Sequence, residues 1–207
     1  MIYELSNPIT KTLITNLRDT QTKALTFRYT IKEITKQLIY ESLKESQTID
    51  KEIDTWQGKN SFKSLDEQNI IVVTILRAGL PMLESAMELL PNITAGFLAM
   101  KRDEVTHESV LYYDRVPDCK GKTVLLVDPM LATGGSLNDA IDVIKTKSPS
   151  KIISLNIICS PEGLKNVENK HSDVDIFVAQ IDEKLNENKF IIPGLGDAGD
   201  RGYNTVE

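Results

Sequence analysis

The sequence predicts an α/β fold with a mostly parallel twisted sheet flanked by helices, and three observations predict it. Apolar runs recur at 70–76, 94–100, 123–127, 151–159 and 175–181, and they read as strands buried on both faces. Stretches of helical period lie between them, so strand and helix alternate. Small-residue turns lead from strand to helix at Arg77-Ala78-Gly79 and at Ala132-Thr133-Gly134-Gly135-Ser136. In sheets of this kind ligands sit at the carboxyl ends of the strands, which is where these turns fall.

The first 60 residues read as helical and polar. Ile31, Ile34, Leu38 and Leu43 fall near helical spacing, with Lys32, Glu33, Lys36 and Glu41 on the other faces, as expected of a covering or subunit-contact helix. A loop around 54–58 follows, with Trp56 read as packing. The run 70–76 ends at Arg77, and Pro81 suits the first turn of a helix reaching Leu89. The run 94–100 leads to Lys101-Arg102-Asp103-Glu104, then to a polar stretch with Tyr112 and Tyr113 that fits either a projecting hairpin or a mobile loop. After 123–127, Leu137, Ala140, Ile141 and Ile144 share one helical face. The Ile-rich run 151–159 precedes a short helix opening at Pro161 and Glu162, and 175–181 is the last core strand. From 188 to 204 the chain reads mostly as an ordered, glycine-rich coil.

Length and charge narrow the function. The 207 residues suit a single domain over 1–207, and 41% hydrophobic with 26% charged residues is ordinary for a soluble globular protein. A net charge of −6 argues against a general nucleic-acid binder, while leaving room for a local cationic cluster. Cys119 and Cys159 show no metal or disulfide spacing. The N-terminus has no signal-peptide pattern, and no apolar run approaches the roughly 20 residues of a membrane span. A cytoplasmic protein without a membrane partner is the expectation.

The stretch from Thr123 to Ser136 is strand, small-residue loop and helix start, a site for a phosphate. Free N–H groups and the helix dipole favour an anion there, and glycines allow close approach. It ends neither in the Gly-Lys-Ser of a P-loop nor in Gly-x-Gly-x-x-Gly, which speaks against an ATPase or a dinucleotide enzyme. Thr133 and Ser136 offer hydroxyls. Asp128, at the strand tip, is suited to accept hydrogen bonds from sugar hydroxyls, and Arg77 and Arg102 add two fork-shaped cations for a second phosphate group. The set complements a sugar carrying phosphate at both ends. The plain alternatives are that Asp128 caps a strand end, and that Arg77 and Arg102 are surface arginines. His107 and His171 have no second ligand at metal spacing and carry no chemistry in this reading. Asp200 and Arg201 are expected to pair with each other or with another subunit.

Val127-Asp128-Pro129-Met130-Leu131-Ala132-Thr133-Gly134-Gly135-Ser136 resembles the phosphoribosyl-diphosphate signature of type I phosphoribosyltransferases. Pro129, where most members carry a second acidic residue, makes it similar to the uracil phosphoribosyltransferase family. Pro193-Gly194-Leu195-Gly196-Asp197-Ala198-Gly199-Asp200-Arg201 resembles that family's uracil-binding segment, and Ile75-Leu76-Arg77-Ala78-Gly79 and Arg102-Asp103-Glu104 also match its pattern. The chain departs from the family after Arg201, with Gly202-Tyr203-Asn204-Thr205 where members often have Phe-Gly-Thr.

The resemblance implies the type I phosphoribosyltransferase fold, with a small hood formed by N-terminal and C-terminal segments. It implies transfer of phosphoribose from 5-phosphoribosyl 1-diphosphate to uracil, giving UMP and pyrophosphate in pyrimidine salvage. The donor would be bound by Arg77, Arg102, Asp128, Pro129, Met130, Leu131, Ala132, Thr133, Gly134, Gly135, Ser136 and Asp197, with Arg77, Arg102, Asp128 and Asp197 as the catalytic set. Ile191, Gly196, Asp197 and Ala198 would line the uracil site, and a side chain at Gly196 would fill it. Mg2+ would be bound mainly through the substrate diphosphate, with no metal site made of protein side chains alone. A homo-oligomer (dimer or tetramer) is expected, and GTP is the effector that the resemblance suggests, although no residue assigns it a site. The alternatives are a phosphoribosyltransferase for another base and a non-enzymatic pyrimidine-nucleotide-sensing regulator.

Overall fold

Each central apolar run is shared between two cores. In the computed structural model, which describes residues 1–102 and 109–205, Ile70 and Val72 pack into one apolar cluster, while Ile71, Val73 and Ile75 pack into a second. Successive side chains leave a strand on opposite faces, so one run feeds both sides of the sheet.

The chain begins with β1 (Ile2–Glu4), α1 (Pro8–Arg18) and α2 (Ala24–Leu43), followed by β2 (Thr48–Thr55), β3 (Gly58–Leu65), β4 (Ile70–Leu76) and α3 (Leu80–Leu89). It continues with β5 (Thr94–Arg102), β6 (Ser109–Arg115), β7 (Thr123–Val127), β8 (Met130–Leu131), α4 (Gly135–Lys145) and β9 (Lys151–Cys159). Last come α5 (Pro161–Lys170), β10 (Asp175–Ile181), β11 (Lys184–Leu185), β12 (Ile191–Ile192) and α6 (Ala198–Tyr203). The main sheet has the order β1-β10-β9-β7-β4-β5-β6, with β8 following β7 along β9. All its pairings are parallel except that of β5 with β6.

Helices α1, α2 and α3 cover one face, burying Ile14, Leu17, Phe27, Ile31, Ile34, Leu38, Met82 and Ala86. Helices α4 and α5 cover the other with Leu137, Ala140, Ile141, Ile144, Leu164 and Val167. Local signals set the helix starts. Asn7 accepts from the N–H of Thr10 ahead of α1, Ser160 accepts from that of Gly163 ahead of α5, and prolines occupy the first turns of α1, α3 and α5.

Four expectations are corrected. The helical N-terminal region ends at Leu43, and 48–65 is an antiparallel hairpin closed by the two-residue loop Trp56-Gln57. Trp56 sits at that turn and is 91% exposed, so it is not packed into the core of the described residues. The three residues of β1 add an edge strand that the polar reading of the N-terminus overlooked. The C-terminal coil holds β12 and α6. Of the stretch after Arg102, Ser109–Arg115 forms β6, which pairs antiparallel with β5. Asp103, Glu104 and His107 lie outside the described residues.

N-terminal and C-terminal segments meet beside the sheet as the expected hood. Arg18 of α1 bonds the carbonyl of Gly194, Arg28 of α2 that of Gly202, and Arg201 of α6 that of Leu17.

Candidate active site

Parallel pairing of β7, β4 and β5 brings their carboxyl ends side by side, with Val127 level with Thr74 and Leu76 level with Ala99. Asp128 and Arg77 each follow directly on one of these strand ends, and Arg102 closes β5 in its backbone. The β4–α3 turn is folded tightly against β7. A Cβ on Gly79 would lie 2.8 Å from the carbonyl of Val127 and 2.3 Å from Oγ1 of Thr74, so only glycine fits.

The phosphate loop is held from behind by α5. Ser160 Oγ donates to the carbonyl of Ala132 (2.6 Å), its N–H to that of Leu131 (2.9 Å), and Asn166 Nδ2 to that of Thr133 (2.8 Å). Gly163 lies so close beneath that a Cβ there would sit 2.1 Å from the Ala132 carbonyl. Three successive carbonyls are therefore committed to one side. Gly134 then takes a left-handed φ of 84° as the N-cap of α4. The N–H groups of the first helical turn have no intrahelical acceptor, so Gly135 and Ser136 present donors and the positive end of the helix dipole to an anion. Pro129, Met130 and Leu131 carry the chain from Asp128 to this loop, tied to β9 by the Pro129 carbonyl and by β8.

Asp128 is set by β9. Asn156 Nδ2 donates to its carbonyl (2.7 Å), and Ser154 Oγ holds the Asn156 amide oxygen (2.8 Å). The residue is half-buried. Burial pushes its carboxyl up from 3.8 to about 7. The Met130 N–H pulls the other way, and the negative charge of Asp197 adds to the rise. Asp197 thus stands close enough for its charge to be felt at the strand tip.

Asp197 caps α6, its Oδ1 accepting from the N–H of Asp200 at 2.8 Å. Arg77 reaches the same turn. Its Nη2 lies 3.0 Å from Asp200 Oδ1, and its Nη1 3.3 Å from the hydroxyl of Thr205, which itself donates to Asp200. The plain alternative for Arg77, an ion pair, is therefore present, at the mouth of the site.

A family model described as uracil phosphoribosyltransferase matches residues 4–205. The chain belongs to the uracil phosphoribosyltransferase family. A uracil phosphoribosyltransferase from Aquifex aeolicus is 49% identical over 203 residues, 98% of each chain. One from Wolinella succinogenes is 43% identical over 205 residues, 99% of each. The solved structure of the AQ2163 protein from Aquifex aeolicus has a TM-score of 0.95 at 49% identity, covering 98% of both chains. A hypoxanthine-guanine phosphoribosyltransferase from Bacillus anthracis shares the fold at a TM-score of 0.53 and 16% identity, over 77% of this chain and 80% of that one.

In this member of the uracil phosphoribosyltransferase family, the coil residues assigned to the base divide in two. Gly196 and Asp197 are exposed, whereas Ile191 and Ala198 are 7% and 2% exposed and pack into the core beneath the coil. A side chain at Gly196 would have a further effect besides the expected filling of the base site. A Cβ there would meet Arg201 Cδ at 3.2 Å, and φ is 77°, so substitution strains the backbone and pushes Arg201. Asp200 and Arg201 do not pair with each other. Asp200 bonds Arg77, while Arg201 bonds the carbonyls of Leu17, Leu195 and Asp19 and stacks 4.5 Å from the centre of the Phe27 ring.

Sequence reading missed Asn156, Ser160 and Asn166, which shape the loop from the next β–α unit. Ser154 and Asn156, two polar residues at alternate positions of an otherwise apolar strand, were the available signal.

Proposed function

We propose that this protein transfers phosphoribose from 5-phosphoribosyl 1-diphosphate to a ring nitrogen of uracil, forming UMP and pyrophosphate. The observation that carries the reading is that Arg77, at the end of the strand next to that of Asp128, bonds Asp200 in the C-terminal turn at 3.0 Å, where the charge of Asp197 also acts on Asp128. Family membership supports it.

The loop Ala132 to Ser136 holds the 5-phosphate, and Asp128 accepts hydrogen bonds from the ribose hydroxyls. Arg77 and Arg102 offset the charge that grows on the departing diphosphate as the anomeric carbon gains oxocarbenium character. Backbone N–H and C=O groups of the coil face the alternating donors and acceptors of the pyrimidine edge.

Mg2+ fits this donor set. Asp128 and Asp197 supply hard carboxylate oxygens, and Asp128 is desolvated. Those two residues would meet an ion carried in on the diphosphate, and when bound it would neutralise the leaving group.

The proposal extends to a homo-oligomer in a reducing cytoplasm. Cys119 and Cys159 are buried free thiols, and no helix among the described residues is long and apolar enough to cross a membrane. One face of the β2–β3 hairpin carries Ile49, Ile53 and Phe62, all exposed, together with Lys51, Asn60 and Ser64, and two strands alone are marginal in water. A monomer by light scattering would count against the oligomer. GTP as an effector rests on the family resemblance, and a titration of GTP against initial rate tests it.

The central test is an ultraviolet assay of uracil, uridine, adenine and orotate with the donor and Mg2+. Turnover of uracil alone is expected. Turnover of no base, with tight UMP binding, would favour the regulator instead.

A further inference from the structure

We infer that Arg18 and Asp182 are positioning residues for the base, setting the coil that meets uracil from a buried ion pair outside it. This rests on the proposed reading of the coil as the base site.

The Asp182 carboxylate has no exposed side-chain surface and takes three hydrogen bonds. Arg18 Nη2 donates to Oδ1 at 2.5 Å, Arg18 Nη1 to Oδ2 at 2.9 Å, and the N–H of Gly194 to Oδ2 at 2.9 Å. Arg18 Nη1 also donates to the carbonyl of Gly194 at 2.6 Å. Both backbone polar groups of Gly194 are thus claimed by one ion pair. Gly194 itself has φ 64°, and a Cβ there would lie 2.2 Å from the carbonyl of Ile191. The next carbonyl, that of Leu195, is claimed by Arg201 Nη1 at 2.6 Å. Gly196, the exposed residue assigned to the base, is the first beyond these anchors.

Stability is a poor reason for such a pair, because packed apolar residues of similar size usually serve a fold as well or better. What apolar residues cannot do is fix the direction of one N–H and one C=O. Recognition through main-chain groups needs that, since hydrogen bonds weaken steeply with misalignment. The pair also joins distant parts of the chain: the end of α1, the residue after β10 and the coil.

The test compares Arg18→Lys, Asp182→Asn and the parent in steady-state assays of full-length protein, varying uracil and donor separately. Each variant is expected to raise KM for uracil by about tenfold or more with KM for the donor within about twofold, since a lost charge-assisted bond is worth roughly that factor. The double variant should be little worse than either single one. Folded variants with unchanged KM for uracil, or with both KM values raised alike, would overturn the inference. A parent that turns over no uracil would instead overturn the reading of the site. If neither variant folds, amide exchange in the parent decides. Exchange at Gly194 should slow by at least about tenfold with UMP bound, and an unmoved rate would refute the inference.

Discussion

The guanidinium of Arg77, directly after β4, is bonded to the carboxylate of Asp200 in the first turn of α6, 123 residues further along the chain, at 3.0 Å. Both side chains are substantially exposed, 55% and 37%, so solvent screens the pair and it is worth under about 1 kcal/mol. A diphosphate offers Arg77 more charge than Asp200 does. Arg77→Ala is therefore expected to lower kcat/KM for the donor by about a hundredfold. Asp200→Asn is expected to change it by less than about threefold. Equal losses in steady-state kinetics would mean that Arg77 acts through Asp200.

Asp128 makes the reaction depend on pH in a stated direction. With its carboxyl raised to about 7, the ionised form needed to accept from sugar hydroxyls grows in as pH rises, so kcat/KM for the donor should climb through an apparent pKa near 7. Asp128→Asn should lower turnover strongly and flatten that climb. A retained climb would assign it to another group.

The same shift governs stability. An acid with a raised folded pKa contributes fully below its unfolded value near 3.8, and that contribution is lost as pH rises through about 7. Asp128→Asn cannot ionise, so it should melt above the parent at about pH 8 and level with it near about pH 4. Melting curves that run parallel across this range would show that the carboxyl is not desolvated.

Asn166 contributes through the carbonyl of Thr133 at 2.8 Å. Asn166→Ala is expected to raise KM for the donor about three- to tenfold without moving that for uracil, as one lost hydrogen bond would. Ser160→Ala removes both the cap of α5 and the bond to Ala132, and should also destabilise the fold by about 1–2 kcal/mol in urea melts.

The β2–β3 hairpin gathers its large apolar residues other than Leu65 on one face, where Lys51 lies opposite Phe62. Ile49, Ile53 and Phe62 share that face, while Lys63 bonds Asp50 at 2.9 Å on the other. If the apolar face is covered by another copy, Phe62→Glu should shift light scattering toward monomer and Lys63→Glu should not.

The strands were legible because burial on both faces leaves an unbroken apolar run, as at Val124 to Val127. The phosphate loop was legible because Gly134 and Gly135 have few other uses directly before a helix. The hairpin was not, since Ile49 and Ile53 lie four apart, a spacing that places residues on one face of a helix and of a strand alike. Asn166 and Asp200 were not legible either. Their partners, Thr133 and Arg77, become neighbours only when the sheet aligns strand ends, and no local pattern records that. Ile191 and Ala198 fall in β12 and α6 of the segment read as coil, and their burial depends on the core formed beneath it.

Arg18, Arg28 and Arg201 hold the carbonyls of Gly194, Gly202 and Leu195, so the shape of the coil is stored largely in side chains that lie outside the Gly196–Ala198 turn. A laboratory search for altered base preference that randomised only 191–198 would leave most of that scaffold untouched. Libraries that also open Arg18 and Arg28, in helices near the other end of the chain, are where new preferences should emerge.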